Sequence, residues 1–110
     1  MQYPNAIKLG GIQLKVLVSE DKLEHPFKPG NYIHGAYLTD QQAIVLWDNP
    51  TCPSSTAETF WHEILEAIAA TYDLALSHQD IKTMSTALHQ VMDDNFVVTS
   101  KDTASEHPIQ

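Results

Sequence analysis

The chain has 110 residues but only one cysteine, Cys52. Without a second one no internal disulfide can form, and a multi-Cys zinc framework is excluded too, so a reducing compartment fits best. Basic residues are also scarce: six Lys and Arg against fourteen Asp and Glu leave a net charge of −8. A phosphate-neutralising face is hard to build from that balance, which argues against nucleic acid as a partner. No apolar run approaches the roughly 18 residues of a membrane span. The start, Met1 to Gly11, lacks the basic opening and continuous apolar stretch of a secretory signal. The expected location is therefore the cytoplasm, away from membranes. Internal repeats and low-complexity runs are absent as well.

What remains is ordinary globular composition, 43% hydrophobic and 18% charged, in a chain long enough for one domain with a modest core. That domain is expected to cover residues 1–99, with the polar, Pro-containing residues 100–110 as a tail.

Ile7, Leu9, Ile12, Leu14, Val16 and Val18 alternate in the manner of two short strands broken at Gly10-Gly11. From Asp21 to Asn31, Pro26, Pro29 and Gly30 predict a surface loop. Tyr32 to Thr39 and Ala43 to Trp47 have strand character, with spacing for an antiparallel hairpin. Asn49-Pro50 and Cys52-Pro53 then close the sheet region. Ser55 and Glu58 have capping-box spacing, and Phe60, Trp61, Ile64, Leu65, Ile68 and Tyr72 follow a helical period. Ser77 and Asp80 repeat the capping pattern before Ile81, Met84, Leu88, Val91 and Met92, with an end at Asn95. Phe96 to Val98 is expected to add a short extended segment. The fold class is α+β: a small, mostly antiparallel sheet followed by two packed helices.

Within the first helix stands His62-Glu63-Ile64-Leu65-Glu66. At about 100° per residue, His62 and Glu66 lie one turn apart on one face and can reach a common ion, while Glu63 sits beside them. A metallohydrolase needs this arrangement, two side chains on a metal and an adjacent carboxylate to take a proton from water. A catalytic zinc site requires a third protein ligand. Asp73 lies roughly 16 Å along the helix and cannot supply it. His78 can return over a linker spanning at most about 16 to 18 Å. His89 is the rival, because a straight antiparallel pair of helices would bring positions near 87 opposite His62. Spacing alone leaves both open.

Thr59-Phe60-Trp61-His62-Glu63-Ile64-Leu65-Glu66-Ala67-Ile68, Leu76-Ser77-His78 and Ala87-Leu88-His89-Gln90-Val91-Met92-Asp93-Asp94-Asn95 together resemble the small zincin-like metallopeptidases encoded by bacteriophages and prophages. The likeness is close over the two helices and loose over the sheet. Many relatives carry HExxH in the first helix and a carboxylate opening the second. Here the carboxylate is Glu66 and the imidazole His78, which keeps a His₂Glu set in permuted order. The resemblance favours His78, since the position of His89 looks like one usually held by Tyr. It implies a peptidase with zinc (Zn²⁺) on His62, Glu66 and His78, Glu63 as general base, and a peptide or protein substrate in the host cytoplasm.

Ala43 to Trp47 can align an extended peptide by edge pairing, and His34 or Tyr37 can steady an oxyanion. Trp47, Phe60, Trp61 and Tyr72 are read as core or groove lining. Cys52 is read as a free loop thiol, with His25 and His107 as solvated residues. Two other classes compete with the peptidase: an inactive, zinc-stabilised binding or regulatory phage protein, and an acidic interaction protein that binds no metal.

Overall fold

Alternation of apolar and polar residues produces two antiparallel strands, β1 (Ala6–Leu9) and β2 (Ile12–Ser19), in a computed structural model that describes residues 3–96. The turn between them depends on Gly10, whose φ of +59° is in the left-handed region, and an added Cβ would meet Thr71 at 3.2 Å and Tyr72 at 3.3 Å.

The stretch expected to be only a loop contains a small ribbon. β3 (Leu23–Glu24) pairs antiparallel with β4 (Tyr32–Ile33), and Glu24 Oε2 accepts the Gly30 N–H at 3.1 Å. The prolines lie between these strands, where no ladder donor is needed. β5 (Gly35–Leu38) and β6 (Ala43–Trp47) form the expected hairpin. Its turn places Gln42 at φ 49°.

The main sheet has the order β1-β2-β6-β5. Its centre is a parallel pair, β2 with β6, which aligns Val16 with Ile44 and Val18 with Leu46. Leu14, Val16, Ile44 and Leu46 consequently share one face, and Phe60 and Ala67 of the first helix complete the buried cluster.

That helix, α1 (Pro53–Tyr72), begins two residues before the Ser55–Glu58 pattern. Pro53 occupies the first helical position, where its missing N–H costs nothing, and Cys52 is the cap residue, its side chain making no capping hydrogen bond. The capping box expected at Ser55 is therefore not formed. The helix start is anchored instead by Thr56, 2% exposed, whose hydroxyl donates to the Trp47 carbonyl at 3.1 Å and accepts the Asn49 N–H at 2.9 Å. Tyr72, expected to be core or groove lining, is 55% exposed, because the last turn of α1 passes beyond the buried cluster.

α1 ends on Asp73 in the left-handed conformation. Residues 74–77 run without helical structure to α2 (His78–Asn95), which packs against α1. Here the capping box forms in both directions: Ser77 Oγ accepts the Asp80 N–H at 3.0 Å, and Asp80 Oδ2 accepts the Ser77 N–H at 3.1 Å. Phe96 closes α2 in extended conformation. The rest of the segment expected at Phe96 to Val98, and the tail expected from 100, lie outside the described residues. No helix among the described residues is long and apolar enough to cross a membrane.

Candidate metal centre

Three side chains from two helices converge. One ligand atom each from His62, Glu66 and His78 lie within 4.8 Å of one another. His62 and Glu66 meet because they are one turn apart on α1, with His62 Nε2 at 3.4 Å from Glu66 Oε2. His78 meets them because it is the first residue of α2, fixed directly behind the Ser77 cap. Its ring centroid stands 5.3 Å from that of His62, with the planes inclined at 61°.

An i,i+4 His–Glu contact on its own is an ordinary helix-surface ion pair. The arrival of a second imidazole distinguishes this cluster. Two ligand atoms on a tetrahedral zinc ion with bonds of roughly 2.0 to 2.1 Å would be about 3.3 Å apart. The His62–Glu66 separation matches that spacing. Two nitrogens and one oxygen, with no sulfur, suit zinc and other imidazole-binding divalent ions. The group can therefore hold a metal ion.

Glu63 is placed differently from Glu66. It faces inward, 8% exposed, while Glu66 is half-exposed. Burial first and the Glu66 carboxylate second push its carboxyl up from the ordinary 4.5 to about 7, and the backbone N–H of Tyr37 opposes that shift. The origin of this N–H is the strand ladder. Trp47 N–H donates to the His34 carbonyl at 2.8 Å, so the hydrogen-bonded positions of β5 are the even ones. Gly35 and Tyr37 must then turn their N–H and C=O groups away from β6, toward the free edge of the sheet.

A cleft of about 290 Å³ opens between α1, α2 and the start of β5, lined by His34, Gly35, Glu58, Thr59, His62, Glu63, His78, Lys82 and Ser85. Gly35 is required there. A Cβ on it would come within 2.7 Å of Thr59 Cγ2 and 2.9 Å of the Val45 carbonyl oxygen, so β5 approaches α1 only with glycine at this position.

The structure sorts the remaining sequence candidates. His89 is half-buried on α2 and is not part of the converging group, and Asp73 is the helix cap. Tyr37 packs its side chain against the core, so only its backbone reaches toward the site, whereas His34 lines the cleft and stacks at 5.8 Å on Trp47. Phe60 is buried, and Trp61 and Trp47 are half-buried. The Trp61 indole N–H is buried without a hydrogen-bond partner. Cys52 is exposed at the α1 start. His25 is half-buried and its Nδ1 accepts the Phe27 N–H at 3.0 Å; His107 lies outside the described residues.

The suggestion that Ala43 to Trp47 aligns a peptide by edge pairing is overturned. β6 is bonded on both sides, to β2 and to β5, and has no free edge. The available edge belongs to β5. Sequence reasoning missed it because which strand lies outermost follows from the non-local β2–β6 pairing. Lys82 was also missed, although its place one turn after His78 was visible. Comparison of the chain with protein-family models, curated proteins and solved structures finds no match.

Proposed function

We propose that the protein is a minimal zinc-dependent peptidase, similar to the small zincin-like enzymes of phages and prophages, with His62, Glu66 and His78 as metal ligands and Glu63 as general base. The observation that carries this reading is the convergence of the three ligand atoms beside an inward-facing glutamate. A surface ion pair would need neither the third ligand nor the buried carboxylate.

When bound, zinc would supply an acidified water and a Lewis acid for the scissile carbonyl. The protein's own groups do the rest. His62 and Glu66 fix two ligand positions from one rigid helix, and the Ser77–Asp80 cap orients His78. Glu63, with a carboxyl near neutrality, accepts a proton at its carboxylate and returns it to the leaving amine. The free edge of β5 offers the Gly35 backbone groups and the Tyr37 carbonyl to an extended peptide beside the cleft, while the Tyr37 N–H is directed to Glu63.

The inactive, zinc-stapled binding protein remains as a second reading, favoured by one observation. α2 buries only Ile81 and Ser85, so an ion tying its first residue to α1 would have a structural effect without any turnover.

Metal analysis and one variant separate the readings. Purified protein should carry one zinc per chain, and His62→Ala should lose it. Glu63→Gln should retain zinc and fold while peptide cleavage drops by about 10² to 10⁴. Full cleavage by Glu63→Gln defeats the mechanism; zinc binding with no cleavage by the wild type selects the staple.

A further inference from the structure

The two walls of the cleft differ: Glu58 and the buried Glu63 line it from α1, while Lys82 and His78 line it from α2. Lys82 is the single base between residues 54 and 95, a stretch with seven acids. Among the described residues no carboxylate lies within ion-pair distance of it, as is true of every described lysine. The Lys82 carbonyl accepts the Ser85 and Thr86 hydroxyls at 2.9 and 3.0 Å. Lys82 lies one helical turn beyond His78, which puts the two side chains on neighbouring positions of one helix face, roughly 6 Å apart at their Cβ atoms. An exposed lysine that lines the cleft together with His78, across from Glu58, can receive an anion on the α2 side. A carboxylate near α1 would be repelled by Glu58, and one near α2 would be attracted.

We propose that Lys82 is the specificity residue of the cleft, receiving a carboxylate of the substrate close to the bond presented to His62, Glu66 and His78. The assignment rests on the peptidase reading. The carboxylate has two sources of identical chemistry, an Asp or Glu side chain or the C-terminus of the peptide. Lys82 is a positioning group and takes no part in proton transfer.

The test begins with binding. Zinc-loaded protein is titrated calorimetrically with acetohydroxamic acid and with succinic acid monohydroxamate, which share the metal-binding group and differ by a carboxylate. The wild type should bind the carboxylate-bearing probe about fivefold more tightly at low salt, the upper range for an exposed pair. In Lys82→Met that preference should vanish, with zinc stoichiometry unchanged. In Glu58→Gln it should increase. Cleavage then distinguishes the sources: an internal-Glu peptide with an amidated C-terminus is compared with an all-neutral peptide with a free one. Whichever is preferred should show a raised KM in Lys82→Met at unchanged kcat. Binding of both probes without a carboxylate preference, or a preference surviving in Lys82→Met, overturns the assignment while sparing the peptidase reading. Failure to bind zinc or either probe overturns both.

Discussion

The sheet with α1 buries Leu14, Ile44, Leu46 and Ala67 completely. Over its eighteen residues α2 buries only Ile81 and Ser85, and it exposes Met84 and Val91. The first region is held by side-chain packing around a continuous core, and the second by its contact with α1 along the helix pair and by its cap. The candidate metal ligands straddle this seam, two on α1 and one on the first residue of α2. The geometry of the candidate group therefore depends in part on a helix that buries few of its own side chains, and a bound ion would be coupled to local order in α2.

The largest effects should fall on the packed region. Ile44→Ala removes a fully buried side chain at the centre of the parallel pair and should cost about 2 to 5 kcal/mol in denaturant unfolding. A cost below about 1 kcal/mol would show that the core is not where this structure puts it.

Glu63 marks where that packed region gives up stability for its site. Its folded-state value near 7 exceeds the ordinary 4.5, so the folded protein keeps a proton that the unfolded chain releases. Metal-free protein should then lose stability as pH rises from about 4.5 to about 7, with the loss complete above that window. A shift of that size corresponds to something on the order of 3 kcal/mol. Glu63→Gln stays neutral throughout. It should be more stable than the wild type at pH 8 and equal to it at pH 4, as read from thermal unfolding of the metal-free proteins. Equal stability at both values would remove the case for a buried, perturbed carboxyl.

Zinc should act on the other side of the seam. At a hundredfold excess over its dissociation constant it would add about 2.7 kcal/mol. Hydrogen exchange should place the gain in amide protection mainly in residues 78–85 rather than in β2 and β6. Uniform protection across the sheet would contradict the division between the two regions.

What the sequence revealed in advance was what depends on spacing within one element. The α1 period, the His62–Glu66 face and the Ser77–Asp80 cap all require only local geometry. The parallel pairing of β2 with β6 was hidden because it joins strands separated by the β3–β4 ribbon and the β5 hairpin arm. Everything that follows from it was hidden too, including the free edge at β5 and the Tyr37 N–H facing Glu63. Spacing left His78 and His89 open. The non-helical return at residues 74–77 places His78, rather than His89, with His62. Pro53 set the α1 start ahead of the Ser55 pattern, since a proline already shaped for the first turn makes a later cap unnecessary.

The smallest effect tests the seam most directly. Ser77→Ala removes the acceptor for the Asp80 N–H and should cost about 1 kcal/mol, confined to the first turn of α2. That turn begins with His78, so an ion held by His62, Glu66 and His78 would bind only after the frayed turn is rebuilt. Its affinity should fall by about fivefold, the factor to which such a cost corresponds. Ser77→Asp keeps a capping oxygen and should restore most of the loss, although its charge beside Asp80 adds some repulsion. Global unfolding of the metal-free protein should hardly change in either variant, because the cap contributes to α2 and not to the core. If Ser77→Ala instead lowers global stability and leaves zinc affinity untouched, α2 is part of the main cooperative unit, and His78 does not depend on its cap.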